Sequence, residues 1–175
     1  MKTIKLKRLC LAAVLAALCC AATFVHIPYP MGYLNLGDCI VLLCGVLLPP
    51  GWAMVAAGLG SALADVFLGY FLYAPATFLI KALMALVVAL FCRRQIRPVR
   101  SLMGGILSEG WMVLGYFLYE MLLYGAAPAA QSALSVNLPQ GAVNLAVAAV
   151  LLLLLQKSKL LNKMRKGIHD EERTV

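Results

Sequence analysis

The chain has 175 residues and a formal net charge of +8. Hydrophobic residues make up 63% of it and charged residues only 13%, with a mean hydropathy of +0.92. Soluble domains lie nearer half apolar and a quarter charged, and disordered chains combine low hydrophobicity with high charge density. The composition therefore excludes a disordered protein and argues against a water-soluble enzyme. A membrane-spanning helix needs about 20 apolar residues, so the length allows five or six spans in one membrane domain.

Six apolar stretches follow one another along the chain, and turn residues such as Pro28, Pro49-Pro50-Gly51 and Gly125 to Pro128 separate them. The stretches are 9–25, 36–48, 52–71, 75–91, 102–124 and 139–155. We therefore predict an all-α integral membrane protein with six transmembrane helices. The second stretch is short for a span, and we expect it to be tilted or partly covered by the loop before it.

Fourteen of the fifteen basic residues lie in three clusters, within 1–8, 93–100 and 157–173. With six spans and a cytoplasmic N-terminus, all three clusters face the cytoplasm, as the positive-inside rule requires. Removing the second span would place the middle cluster outside. We predict that both termini are cytoplasmic, with a basic N-terminus over 1–8, a membrane domain over 9–155 and a basic tail over 156–175.

This distribution of charge argues against nucleic-acid binding, because the basic residues flank apolar runs and do not build one basic surface. The first stretch also has the basic start and small residues of a signal peptide, but its apolar run is long enough to remain as a span. The six cysteines form no C-x-x-C pair and the two histidines are far apart, so we expect no metal or other cofactor. No nucleotide-binding or hydrolase motif is present, and we expect no enzyme.

Four ionisable residues lie inside the apolar stretches: Asp65, Lys81, Glu109 and Glu120. An ionisable side chain within the bilayer is costly and indicates a functional site by default. Asp65, Lys81 and Glu120 fall at similar depths, roughly 9 Å from the outer ends of their helices at 1.5 Å per residue. We predict a polar chamber open to the outside, and we expect Asp65 to be the structural partner of Lys81. The alternative, in which both contact a ligand, stays open.

Glu109 and Glu120 are three helical turns apart and share a face with Met112 and Tyr116. Such a face suits a cavity for an aromatic, hydrogen-bonding solute better than it suits lipid. Asn144, in the outer third of the sixth stretch, either makes a hydrogen bond between helices or contacts the solute.

Small residues recur at four-residue spacing in two helices. The first carries Ala13-x-x-x-Ala17, and the third carries Ala56-x-x-x-Gly60-x-x-x-Ala64. This spacing lets helices approach closely. It fits packing within the domain and docking of a partner membrane subunit equally well.

Several motifs in order resemble one family of membrane proteins. They are Gly32-Tyr-Leu-Asn-Leu-Gly-Asp38, Gly58-Leu-Gly-Ser-Ala-Leu-Ala-Asp65, Tyr73-Ala-Pro-Ala-Thr77, Ile80-Lys81 and Gly115-Tyr-Phe-Leu-Tyr-Glu120. Over about residues 9–155 the chain resembles the substrate-binding S components of energy-coupling factor (ECF) transporters. It looks closest to the branch for riboflavin-like and pyrimidine- or pyridoxine-like vitamins.

The resemblance implies a six-helix binding protein in a prokaryotic cell membrane, which captures a vitamin at its outer face and works with a transmembrane coupling subunit and two ATPases. It implies a docking surface on the first helix, at Ala13 and Ala17 or an adjacent register. The expected substrate-binding residues come from the first outer loop and helices four to six: Tyr33, Asn35, Tyr73, Thr77, Lys81, Glu109, Tyr116, Glu120 and Asn144. The alternative function is a stand-alone small transporter or channel that uses the intramembrane charges as a proton relay.

Overall fold

The computed structural model describes residues 2–29, 32–92 and 97–157. In chain order the elements are α1 (Lys2–Phe24), β1 (His26–Tyr29), β2 (Gly32–Asn35), α2 (Gly37–Leu47), α3 (Pro50–Phe67), α4 (Ala74–Cys92), α5 (Pro98–Tyr124), α6 (Ala126–Ser132), a π-helical segment (Ala133–Asn137) and α7 (Leu138–Lys157). The predicted all-α class is confirmed apart from one short hairpin. Most of the predicted basic tail, from residue 158 onward, lies outside the described residues.

The number of spanning helices differs from the prediction of six. Within the described ranges, five helical stretches are long and apolar enough to cross a membrane: Leu6–Phe24, Pro50–Phe67, Ala74–Cys92, Pro98–Tyr124 and Ala126–Lys157. Helix α2 has only 11 residues. At 1.5 Å per residue it reaches about 16 Å, roughly half the thickness of the hydrocarbon core.

Helix α2 is short because it lies inside the bundle. Ten of its eleven residues are buried, and it packs against α1, α3, α4 and α7. A helix that is apolar on all sides is typical of a protein core, and the segment from Ile40 to Leu47 contains no charged residue. Protein therefore surrounds α2, where the prediction had expected a tilted or partly covered span.

The loop between α1 and α2 is a β-hairpin, which was not predicted from the sequence. Strands β1 and β2 pair antiparallel, with His26 opposite Asn35 and Pro28 opposite Tyr33. The hairpin follows α1 and leads directly into α2, so it lies at the end of the bundle where α1 ends. The pairing satisfies the backbone N–H and C=O groups that face the other strand.

The sixth predicted stretch begins earlier than Pro139. The expected turn at Gly125 to Pro128 is confined to Gly125, whose φ of +89° is a conformation that favours glycine. Helix α6 starts at Ala126 and continues through the π-helical segment into α7. Pro128 lies in the first turn of α6, where a missing N–H is tolerated.

The small-residue stripe of α3 packs against α1. Ala56, Gly60 and Ala64 are all buried, and a Cβ atom on Gly60 would lie 2.4 Å from the Ala16 carbonyl oxygen. This stripe therefore serves packing within the domain. Ala13 and Ala17 of α1 are exposed and lie on a different face.

This contact predicts that Gly60→Ala lowers the apparent melting temperature of the detergent-purified chain. The backbone of α1 blocks the added methyl group, and overpacking of this kind costs about 1–3 kcal/mol. Gly110→Ala in α5 is the matched control, because a Cβ there meets nothing within 4 Å. We expect the control to melt at the wild-type temperature or above it. Equal melting temperatures for the two variants would contradict the α1–α3 packing.

Candidate functional site

A network of buried polar side chains joins the hairpin to α2, α4 and α7. We call it the polar hub; its members are Asn35, Asp38, Lys81, Gln140 and Asn144. Lys81 Nζ donates to Asp38 Oδ1 in an ion pair whose side chains are 4% and 0% exposed. Gln140 Nε2 donates to Asp38 Oδ2 at 2.7 Å. The other end of the same amide, Gln140 Oε1, accepts from the Asn35 backbone N–H at 2.9 Å and from Asn35 Nδ2 at 3.2 Å.

Asn144 holds the hub together through main-chain groups. Its Nδ2 donates to the Asn35 and Gln140 carbonyl oxygens at 2.8 and 2.9 Å, and its Oδ1 accepts from the Cys39 N–H at 2.9 Å. The side chain is fully buried. Of the two alternatives for Asn144, a hydrogen bond between helices or a contact with the solute, the geometry corresponds to the first, because bonds to protein groups occupy both ends of the amide.

The expected pairing of Asp65 with Lys81 is wrong. Lys81 pairs with Asp38, because α2 enters the bundle beside α4 and brings its first turn to the lysine. Asp65 Oδ1 instead accepts a hydrogen bond from the Tyr33 hydroxyl of the hairpin. Burial, together with the neighbouring Asp65 carboxylate, raises the pKa of Tyr33 well above its ordinary value. The hydroxyl therefore remains a donor at neutral pH.

A cavity of about 40 Å³ lies between the hub and the hairpin end of the bundle. The residues that line it are Thr23, Tyr33, Asn35, Ser61, Asp65, Tyr70, Tyr73, Thr77, Lys81, Tyr116, Glu120, Ser132, Asn137 and Gln140. Seven of the nine predicted substrate-binding residues are among them. Glu109 and Asn144 are not.

Aromatic rings form a row at the hairpin end of this cavity. The row runs through His26, Tyr33, Tyr70, Tyr73 and Tyr119, with successive ring centroids 5.2, 4.9, 6.3 and 5.6 Å apart. Three of the five rings line the cavity. The hairpin, the α3–α4 turn and α5 all contribute rings to this row.

The wall beside the hub is also aromatic and polar. The Tyr116 hydroxyl and Thr77 Oγ1 are 2.9 Å apart, within hydrogen-bond distance. Lys81 Nζ lies 5.2 Å from the centroid of the Tyr116 ring, a distance typical of a cation–π contact. These contacts join α4 to α5 along one side of the cavity.

Four polar atoms of the cavity lining are buried without a hydrogen-bond partner among the described residues: Ser61 Oγ, Asp65 Oδ2, Glu120 Oε2 and Asn137 Nδ2. Buried polar groups in proteins nearly always have partners, and each exception calls for an explanation. A bound solute that supplies the missing partners would explain all four.

Two lining residues near the start of the last long helix, Asn137 and Gln140, were not among the predicted site residues. Asn137, Gln140 and Asn144 are spaced three and four residues apart in an apolar run, and this spacing places them on one helical face. This polar face on an otherwise apolar helix was the pattern in the sequence that could have identified Asn137 and Gln140. Asn137 ends the π-helical segment, and such segments occur frequently at functional sites.

Glu109 lies elsewhere. It is 5% exposed and lines a second, largely apolar cavity between α5 and α7, and neither of its carboxylate oxygens has a partner within the described part of the chain. Its Oε2 would be 3.3 Å from a Cβ on Gly141, whose missing side chain makes room for the carboxyl group. Glu109 therefore does not line the main cavity, although Tyr116 and Glu120 of the same helical face do.

The buried ion pair predicts a strong dependence of stability on both partners. Lys81→Met or Asp38→Asn alone leaves one buried charge uncompensated, which typically costs about 3–5 kcal/mol. The double variant removes both charges, so we expect it to melt at a higher temperature than either single variant. Melting temperatures of the purified variants test this, with the exposed Lys157→Met as control. Losses in the two single variants that simply add in the double variant would contradict the pairing.

Two comparisons with known proteins bear on this site. The family model for the S component of ECF-type riboflavin transporters matches residues 3–162. A protein of Pyrococcus woesei, described only as an uncharacterized protein in a gap 3' region, is 41% identical over 101 residues, which are 58% of this chain and 68% of the Pyrococcus protein. The family match spans both the bundle and the cavity. The chain belongs to the ECF-type riboflavin transporter S component family, and so to the substrate-binding subunits of vitamin transporters.

Proposed function

We propose that this chain captures a water-soluble vitamin or related micronutrient at the outer face of a prokaryotic cell membrane. A transmembrane coupling subunit and two ATPases would then drive its delivery inward. The observation that carries the proposal is the cavity with four unpartnered polar atoms, in a chain whose family consists of transporter S components. The aromatic row lies at the hairpin end of this cavity, and three of its rings line the cavity.

The proposal includes an orientation in which both termini are cytoplasmic and the hairpin faces outward. The basic clusters near the two termini and between α4 and α5 support it, because all three then share the cytoplasmic side. The hairpin and α2 together would complete the crossing that α2 alone is too short to make. This is feasible because α2 is buried in protein, where nonhelical backbone at membrane depth is tolerated.

We assign docking of the coupling subunit to the outward face of α1. Ala13 and Ala17 are exposed there, beside the exposed side chains of Val14 and Leu18. Small residues one helical turn apart let a partner helix approach the backbone. Neither alanine lines the cavity; Thr23, six residues beyond Ala17 in α1, does.

This separation predicts that Ala13→Trp and Ala17→Trp abolish ATP-dependent uptake and leave substrate binding by the isolated chain unchanged. The indole would hold the partner helix away from α1 without reaching the cavity. Ala146→Trp on the exposed face of α7 is the matched control, and we expect it to keep both activities. Uptake into vesicles that contain the coupling subunit and ATPases, and equilibrium binding in the same preparation, test the prediction.

Two results would count against the proposal. Loss of binding in the α1 variants would contradict the separation of the docking face from the site. Uptake that follows a proton gradient and needs no ATPase would favour the stand-alone transporter instead.

A further inference from the structure

We infer that an open groove between the start of α5 and the end of α7 binds one anionic phospholipid, with an acyl chain in the groove and the phosphate beside Arg97 and Lys157. The inference goes beyond the proposed function, because it concerns a lipid that stays with the chain and not the transported solute. The length of the groove, its apolar lining and the basic residues at its mouth carry it.

The groove begins where α5 and α7 touch. A Cβ atom on Gly105 would lie 2.6 Å from Leu145 Cδ1, so the two helices are in close contact at this level. Toward the start of α5 they leave an open volume of about 230 Å³. Along α7 the lining runs from Leu145 to Gln156, which is roughly 16 Å at 1.5 Å per residue. Half of a hydrocarbon core of about 30 Å has nearly the same thickness, so the groove is as long as one leaflet.

The surface of the groove is almost entirely apolar. Its floor is formed by buried side chains of α2 and α4, such as Leu42 and Val88. Its walls belong to α5 and α7, where Val99 and Leu153 remain 67% and 52% exposed. Transfer of such apolar surface from water into hydrocarbon is favourable. The lining therefore favours an acyl chain as the occupant.

The mouth of the groove is basic. Arg97 is the N-cap residue of α5 and Lys157 ends α7, and on each helix the next residue inward lines the groove. Both basic side chains are exposed. The stretches 92–108 and 145–157 contain no acidic residue. Basic sites between spanning helices on the cytoplasmic side bind anionic lipid headgroups, and arginine and lysine bind phosphate through charge-assisted hydrogen bonds.

The positive-inside rule also places basic residues at this end of the bundle, whether or not a lipid site exists. Arg100 separates the two explanations. It is two positions from each of the lining residues Pro98 and Leu102, so it does not share their helical face, and it does not line the groove. A general attraction to anionic lipid would involve Arg100 as much as Arg97. A site in the groove would not.

The test measures lipid binding to the detergent-purified full chain by native mass spectrometry. Dioleoylphosphatidylglycerol is anionic, dioleoylphosphatidylcholine has the same acyl chains and no net charge, and glycerol 3-phosphate is an anion without acyl chains. We expect the first copy of phosphatidylglycerol to bind about tenfold tighter than phosphatidylcholine, since each basic residue near a headgroup contributes severalfold to affinity. Glycerol 3-phosphate should not bind detectably.

Charge variants connect this preference to the mouth of the groove. We expect the double variant Arg97→Gln, Lys157→Gln to lower the preference for phosphatidylglycerol below about threefold and to leave binding of phosphatidylcholine unchanged. Arg100→Gln is the matched control, because it removes the same charge from the opposite face of α5. The control should keep the full preference.

A second pair of variants tests the place of the acyl chain. Ala149 lines the groove, and Ala149→Trp should weaken binding of both phospholipids about tenfold, because excluding two methylene groups from apolar contact has roughly that effect. Ala146→Trp on the exposed face of α7 lies outside the groove and should bind both lipids as wild type does. The charge variants change exposed side chains, so they decide the question even if Ala149→Trp fails to fold.

Four outcomes would overturn the inference. Equal affinity for the two phospholipids would show that the charges do not select a lipid, and an equal loss of preference in Arg100→Gln would show a general attraction at the basic end. Undiminished lipid binding in folded Ala149→Trp would place the acyl chain elsewhere. Binding of glycerol 3-phosphate as tight as that of phosphatidylglycerol would indicate an anion site that needs no acyl chain. The proposed function stands in each case, because uptake of the solute is measured separately.

Discussion

The ion pair between Asp38 and Lys81 is the interaction on which the rest of the structure depends. Two charges in a dry interior are stable only when they face each other and their remaining hydrogen-bonding groups are satisfied. Gln140 meets that demand for Asp38 and extends the contact to Asn35 of the hairpin. One buried pair and its hydrogen bonds thus connect the start of α2, the first half of α4 and the hairpin to α7. Besides Lys81, the charged residues that line the cavity are Asp65 and Glu120.

The short buried helix α2 is what makes an enclosed site feasible in so small a protein. If a full-length spanning helix replaced α2, its first turn would lie at the membrane surface. Helix α2 instead starts inside the bundle, so its first turn supplies Asp38 and Cys39 to the hub. The hairpin fills the space above it and brings Tyr33 to Asp65. The hairpin thus supplies two residues of the cavity lining, Tyr33 and Asn35.

Much of the fold follows from local patterns, and the rest depends on tertiary placement. The long helices were predictable because their apolar runs and bounding prolines and glycines are local signals, and the polar chamber was predictable because charges inside apolar runs are rare. The partner of Lys81 was not predictable, since it depends on which helix lies between α4 and α7. The burial of α2 and the formation of the hairpin also depend on contacts with other helices, which local sequence patterns do not specify. Asn144 and Glu109 show the same limit: each shares a helical face with residues that line the cavity, yet Asn144 is held by hydrogen bonds of the polar hub and Glu109 lines a separate cavity between α5 and α7.

Mass spectrometry of the small molecules released from the purified chain tests the central claim most directly, namely that the cavity beneath the aromatic row holds the substrate. Wild type should be compared with Ser61→Met, which fills the cavity from α3, where Ser61 is 3% exposed, and with the exposed Ser135→Met as control. The account predicts one water-soluble, vitamin-like compound in near-stoichiometric amount from wild type and control, and its loss from Ser61→Met. A compound retained equally by all three proteins would contradict the account, because the substrate would then bind elsewhere.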